Sequence, residues 1–325
     1  ALIRYPYSLG MLGSGLGLVD CDVLYLSYYK AFGQGALSEE NKDLRGDILF
    51  IETLQNANSK DTLVLQSDIR NKASYYPVRA GKYLSMNGIP TNAVYVEALE
   101  RMCGKIRLSE RGISQIKNFT WYTPEREDNL IKRGILNKVD NYVLLESDLE
   151  KEVFIYNTFI RMGYERTGIT EEMVNNTIDK FEESRGFKLE KLQRDGCLLT
   201  MFRAGVLSGC AGSGKTTTSD CMTEILKSLP NYTIVYCTPT GKACRRLAEV
   251  VHSTVRTIHS QFSVGLGGES YLQRIGKKYS NAPESKESKI YLLDEMAMAA
   301  TPLVYEVARN IEEGDIIYFL GDIKQ

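Results

Sequence analysis

Several things are scarce in this 325-residue chain, and each scarcity removes a class of protein. Histidine is nearly missing, with only His252 and His259. The seven cysteines lie scattered at Cys21, Cys103, Cys197, Cys210, Cys221, Cys237 and Cys244, with no C-x-x-C pair. That pattern offers neither a zinc framework nor a disulfide scaffold, and it fits a reducing, intracellular compartment. No apolar run approaches the roughly 20 residues needed to cross a bilayer, and the first residues lack a signal-peptide pattern. Excess charge is missing too: 40 Lys and Arg against 41 Asp and Glu leave a formal net charge of -1. A chain without a global basic field must bind nucleic acid, if it does, through local patches. No internal repeat or low-complexity segment is evident. The chain opens at Ala1 rather than Met, as expected of a fragment or a processed product.

What is present is ordinary globular composition, 43% hydrophobic and 25% charged, in a length that suits two or three domains. Tyrosine is over-used, at 20 copies. Tyrosine stacks on bases but also fills cores and interfaces, and composition does not choose between these uses.

The first 70 residues read as short helices, opening with Pro6 and the Gly-rich stretch S-L-G-M-L-G-S-G-L-G. Closely spaced glycines before a helix let backbone amides approach a phosphate; they also make a tight interhelical turn. Residues 71–148 are expected to form a winged-helix-like unit. Residues 92–102 and 110–117 have helical patterns, and Thr123-Pro124 starts a third helix with Thr as N-cap and Pro at the first helical position. That helix ends near Gly134. The β-rich runs I-L-N-K-V and Y-V-L-L-E follow, joined by a turn at Asp140-Asn141. Arg126, Lys132 and Arg133 on the third helix suit phosphate contacts or a solvated face. Residues 149–186 are helical and charge-rich, and read as a connector.

From Phe187 onward apolar strands alternate with helices. Strands are predicted at 204–208, 233–237, 289–293 and 315–320, an α/β pattern with a parallel sheet buried on both faces. Residues 265–288 are polar and read as a surface insertion.

Four motifs carry chemistry. G-C-A-G-S-G-K-T, residues 209–216, fits the P-loop pattern and lies between a strand and a helical run, the context the pattern requires. Its glycines let backbone amides wrap phosphate oxygens at a helix N-terminus. Lys215 reaches the β- and γ-phosphates, and Thr216 offers a hydroxyl to Mg²⁺. The strand K-I-Y-L-L ends in Asp294-Glu295, a carboxylate pair set to hold Mg²⁺ and to orient and deprotonate an attacking water. A second strand delivers G-D-I-K-Q, ending at Gln325, to the same edge. C-T-P-T-G-K-A, residues 237–243, places Thr238, Thr240 and Lys242 at a strand-to-helix turn. That turn suits either phosphate contacts along single-stranded DNA or helix capping with a solvated basic face. T-I-H-S, residues 257–260, occupies another turn, and Gln193 precedes the P-loop strand.

Taken in order, L-x-x-L-Q, G-x-A-G-S-G-K-T-T, T-P-T-G-K-A, T-I-H-S, L-L-D-E-M-A-M and G-D-I-K-Q resemble motifs Q, I, Ia, Ib, II and III of the superfamily 1B, RecD-like DNA helicases. The resemblance spans residues 189–325, with weaker similarity upstream to the family's helix-hairpin-helix and pre-motor segments. It implies a RecA-like P-loop ATPase domain over residues 187–325, ATP and Mg²⁺ as cofactors, single-stranded DNA as partner, 5′-to-3′ translocation and a cytoplasmic setting. Gln193 would read the adenine edge. Gly209, Gly212, Ser213, Gly214, Lys215, Thr216 and Thr217 would hold the nucleotide, with Thr216 and Asp294 on the metal. Glu295 would be the general base, and Gln325 the γ-phosphate sensor. Thr238, Thr240, Lys242 and His259 would lie along the DNA. Two departures stand out: Ala297 sits where the family usually shows Ser, and the upstream glycines depart from a proper hairpin. The family's second RecA-like lobe and arginine finger are not recognised in these residues. The chain is therefore expected to bind nucleotide but hydrolyse it poorly, since such a finger is worth ~10³–10⁵ in rate.

Overall fold

The computed structural model describes residues 6–11, 18–32, 38–57, 63–71, 122–210, 212–251, 253–262 and 287–322. The chain forms two compact units, Ala1–Leu149 and Glu150–Gln325.

The first unit contains helices α1 (Pro6–Met11), α2 (Leu18–Phe32), α3 (Glu39–Ala57), α4 (Gln66–Asn71) and α5 (Pro124–Lys132). Strands β1 (Val64–Leu65), β2 (Leu136–Val139) and β3 (Tyr142–Leu145) make an antiparallel sheet in the order β1-β3-β2. The Thr123 hydroxyl accepts from the Arg126 amide, so the predicted cap forms. The β2–β3 turn puts Asp140 at φ 52, a left-handed conformation that Asp tolerates better than most residues. Where the sequence suggests separate helical and winged-helix segments, the described residues share one core. Val64 pairs with Val143, and Tyr7, Leu49, Ile69, Leu130 and Val143 belong to one buried cluster. A lone two-stranded hairpin is marginal in water, and β1 supplies a third strand. The expected helices at 92–102 and 110–117, most of the Gly-rich stretch and most of the 265–288 insertion lie outside the described residues.

Two of the three basic residues on α5 and at its C-cap, Arg126 and Arg133, have a different use from either reading above. Arg126 Nη1 donates to Asp47 Oδ1 at 2.9 Å, and Arg133 pairs with the other oxygen of the same carboxylate. A second ion pair is sealed in this core. Arg45 donates through Nε and Nη2 to both oxygens of Asp22 at 2.8 Å, and the Tyr7 hydroxyl donates to Asp22 at 2.6 Å. Burial pushes the Tyr7 phenol well above its usual range.

The second unit is an α/β layer structure. Helices α6 (Glu146–Tyr164, which enters from the first unit), α7 (Glu171–Arg185) and α8 (Lys191–Cys197) precede β4 (Ala204–Ser208). Then come α9 (Lys215–Leu226), β5 (Tyr232–Thr238), α10 (Gly241–Val251), β6 (Val255–Thr257), α11 (Ile258–Phe262), β7 (Ser288–Leu293), α12 (Thr301–Asn310) and β8 (Ile316–Gly321). The five strands are parallel, in the order β4-β8-β7-β5-β6. Alternation sends Ile290, Leu292, Ile316 and Tyr318 to one face and Tyr291, Leu293 and Ile317 to the other, each into its own buried cluster. This is the α/β, RecA-like P-loop sheet, covered on both faces.

Residues 149–186 are more than a connector. Met162 of α6 is buried on one face of the sheet, while Val174, Ile178 and Phe181 of α7 enter the opposite cluster beside Cys221, Met222 and Ile225 of α9. The spacing of those three α7 residues is an apolar helical stripe; only the exposed face is charge-rich.

Glu182, near the end of α7, ties that helix to the next. Its buried carboxylate accepts from the Leu189 amide at 2.9 Å and from Arg194 Nη1 at 2.7 Å, and pairs with Lys188 Nζ at 2.8 Å. The Lys188 hydrogen bond, followed by those from Leu189 and Arg194, holds its pKa below the usual carboxylate range despite burial. A depressed pKa means that this stability is present above the unfolded carboxylate pKa and is lost as pH falls through the folded value. We expect Glu182→Gln to destabilise the chain by about 2–3 kcal/mol at pH 7. Urea unfolding should show the two proteins converging in acid; a gap that stays constant down to pH 3 would contradict the assignment.

Candidate nucleotide site and adjoining groove

The C-terminal ends of parallel strands are where an α/β sheet places its ligands, and the motifs meet there. β4 ends at Ser208, and the Gly209 amide donates to the Gly321 carbonyl of β8 at 3.3 Å. The loop then turns through Gly212 (φ 80) and Gly214 (φ 78) into α9, which begins at Lys215. Residue 211 is not among the described residues. Gly214 is favoured by its left-handed φ, and a Cβ there would displace the end of the Gln193 side chain, whose Nε2 lies 2.0 Å from that position. Lys215 Nζ donates to the carbonyls of Gly209 and, at 3.0 Å, Cys210, so the ammonium sits inside its own loop. Ser213 and Thr216 are exposed, and Thr217 is half-buried, at the mouth of this cradle.

Gln193 is held against the loop. Its Oε1 accepts from the Glu190 amide at 2.9 Å, half of a capping box that starts α8, and its Nε2 donates to the Ser213 carbonyl at 3.4 Å. The residue predicted to read a base therefore also braces the phosphate loop in this conformation.

Asp294 follows β7, and its amide donates to the Cys237 carbonyl of β5 at 2.9 Å. Burial raises its pKa, opposed first by the Glu295 amide, which donates to Oδ1 at 2.8 Å, and then by the charges of Lys215 and Arg246. The carboxylate thus feels the P-loop ammonium, although β8 stands between their strands, two spacings or roughly 10 Å across the sheet. Glu295 adopts φ 59, ψ 31, a left-handed conformation that costs a residue with a Cβ about 1–2 kcal/mol. Gln325 lies outside the described residues; its strand, β8, is the P-loop strand's neighbour.

Loop amides, a lysine, a hydroxyl and a carboxylate at one sheet edge fit a triphosphate with Mg²⁺, a hard cation that prefers oxygen ligands and keeps much of its water. The two left-handed glycines fit it as well, because the loop turns through φ values at which a residue with a Cβ is strained.

A groove of about 770 Å³ opens at the same C-terminal edge of the sheet, lined from the end of β5, from α11 and from the segment after β7, and shares none of the loop's residues. Pro239 and Thr240 line it from the end of β5, His259 from α11, and Met298, Ala300 and Tyr305 from the segment after β7. Thr240 and His259, predicted separately, are thus brought together. Thr240 Oγ1 also accepts from the Ala243 amide at 3.3 Å, which is the helix-capping use of that turn. Lys242 is exposed at the start of α10, outside the groove lining. Thr238 is a correction. Its side chain is buried, and its hydroxyl donates to the Thr240 carbonyl at 2.9 Å and contacts Cys244 Sγ at 3.0 Å. It shapes the turn from inside and is closed to a ligand. Pro239 and Met298 lie inside the T-P-T-G-K-A and L-L-D-E-M-A-M motifs but were given no role, and Ala300, two residues beyond the second motif, had only that proximity as a signal.

Comparison with known proteins agrees with this geometry. Residues 199–325 match the family model described as an AAA domain. The ATP-dependent RecD2 DNA helicase of Deinococcus radiodurans is 30% identical over 123 residues, which are 38% of this chain and 16% of that protein. An uncharacterised protein of Methanocaldococcus jannaschii is 31% identical over 133 residues, 38% of this chain and 11% of that protein. The chain thus covers a small part of the length of either relative. The matches support a P-loop ATPase domain of helicase-like, superfamily 1 type.

Proposed function

We propose that this chain carries the nucleotide-binding lobe of an ATP-driven DNA helicase or translocase of the RecD-like kind, holding ATP–Mg²⁺ on residues 209–216 and single-stranded DNA in the adjoining groove. The observation that carries this reading is the convergence on one sheet edge of the Lys215 loop, the Asp294-Glu295 pair and a groove lined by Thr240 and His259. A nucleotide kinase would need an acceptor pocket at the loop; the groove at this sheet edge is lined instead from the end of β5, α11 and the segment after β7, with His259 exposed and Thr240 half-buried.

In this reading Lys215 leaves the carbonyls of Gly209 and Cys210 and takes β- and γ-phosphate oxygens, assisted by loop amides and the start of α9. Thr216 and Asp294 would hold Mg²⁺, which neutralises charge on the phosphates when bound. Glu295 orients the attacking water and accepts its proton. Gln325 would sense the γ-phosphate, and Gln193 the adenine. Thr240, Lys242 and His259 would contact the DNA strand, and translocation would run 5′ to 3′.

The test is a pair of titrations on this chain. A fluorescent ATP analogue should bind only with Mg²⁺ present, and labelled oligothymidylate should bind with an affinity that His259→Ala lowers about 5–30-fold, the loss of one good contact. Oligothymidylate binding that ignores His259→Ala and Thr240→Ala alike would remove the groove from this account.

A further inference from the structure

The wall that α12 gives to the groove carries a combination that phosphate contacts do not explain. Tyr305, Glu306 and Arg309 follow one another closely on that helix, and all three line the groove. Among the described residues that line it, Glu306 is the one carboxylate. A fixed negative charge is unfavourable beside a phosphodiester backbone. This part of the groove therefore does not suit the charged part of a nucleic acid strand.

It does suit the uncharged part. The Phe154 ring of α6 meets Tyr305 edge-on, with ring centres 5.3 Å apart and planes at 72°. The Arg309 guanidinium carbon lies over the Tyr305 ring, 5.5 Å from its centre, and Arg309 Nη1 donates to Glu306 Oε1 at 3.4 Å. The ring is thus braced by Phe154, and the carboxylate beside it is braced by Arg309. An aromatic ring lining a groove is a stacking surface for any base, because every base has a π-face. A carboxylate only accepts hydrogen bonds, so the one beside this ring favours a base edge that donates. Cytosine presents an exocyclic amine where thymine presents a carbonyl oxygen.

We propose that the α12 wall is a nucleobase subsite, in which Tyr305 stacks one base of a single strand and Glu306 selects that base for an exocyclic amine, so that cytosine is taken in preference to thymine. The inference rests on the functional reading above. Stacking alone makes a single-strand track indifferent to sequence; the acceptor next to the ring adds the discrimination.

The test titrates labelled oligodeoxycytidylate, oligothymidylate and oligodeoxyuridylate of equal length, at neutral pH, into the wild-type chain and into Glu306→Gln, Tyr305→Leu and His259→Ala. The wild type should bind the cytidylate about fivefold or more tightly than the other two, the effect of one base-edge contact. The thymidylate and uridylate should agree within about twofold, because the thymine methyl plays no part. Glu306→Gln keeps the shape, but its amide both donates and accepts, so the preference should fall below about twofold. Tyr305→Leu keeps apolar bulk against Phe154 and should weaken all three by about 5–30-fold, the loss of one stacked base. His259→Ala should weaken all three and keep the preference, which separates a general groove contact from the selective one. Equal wild-type affinities for cytidylate and thymidylate overturn the proposal, as does a preference that survives Glu306→Gln or binding that ignores Tyr305→Leu; each of these leaves the groove reading intact. A wild type that binds no oligonucleotide overturns the groove reading and the proposal with it.

Discussion

Replacing Lys215 by Ala is expected to weaken ATP–Mg²⁺ binding by about 3–5 kcal/mol, on the order of 10²–10⁴-fold in affinity. Each hydrogen bond from an ammonium to a charged acceptor contributes about 1.5–3 kcal/mol, and Lys215 is placed to make two of them to phosphate oxygens. The fold should be indifferent. Lys215 bonds only to carbonyls of its own loop, and the α9 core behind it is built from Cys221, Met222, Ile225 and Leu226. Thermal unfolding should therefore move by less than about 1 kcal/mol, as for a surface substitution. The check is a nucleotide titration beside a melting curve. Wild-type affinity in a folded variant would remove the P-loop assignment; lost binding together with a collapsed melting curve would show that the lysine serves the fold instead.

The second large effect concerns Glu295. Glu295→Gln should keep nucleotide affinity within about threefold and lower turnover by on the order of 10²–10⁴, the usual contribution of a positioned general base. The comparison is a ratio within the same chain, so it holds even if wild-type turnover is slow. Backbone geometry adds a second signature. At φ 59 the residue carries a penalty that glycine escapes, so Glu295→Gly should stabilise the fold by about 1 kcal/mol while abolishing turnover. Stability gained and activity lost at one position is what a residue strained for function should show. A variant that is less stable, or that keeps its turnover, would mean that the left-handed conformation serves the turn rather than the chemistry.

The sheet was largely legible in the sequence because its strands are buried on both faces and so read as near-continuous apolar runs. The prediction of 204–208 matches β4 residue for residue, and those for β5, β7 and β8 end within one residue of the observed C-termini. β6 escaped notice because Val255-Arg256-Thr257 is too short to show alternation. Residues 171–185 were read as connector because their charges outnumber the three apolar residues that do the packing; burial depends on which face those three share. Thr238 and Thr240 illustrate a finer limit. T-P-T contains two threonines two residues apart, and only the twist of the chain at the end of β5 decides that the first is sealed inside and the second lines the groove. The close approach of Gly321 to the Met296–Ala297 backbone was not legible at all, since it joins residues from β8 and from the turn after β7.

The most direct test of the central claim is a crystal structure of this chain with a non-hydrolysable ATP analogue and Mg²⁺. The account predicts the triphosphate along residues 209–216, Lys215 Nζ turned from the carbonyls of Gly209 and Cys210 onto the phosphates, and Thr216 and Asp294 on the metal side. A nucleotide bound elsewhere, or one bound here with Lys215 still folded onto its own loop and Asp294 turned away from the phosphates, would contradict it.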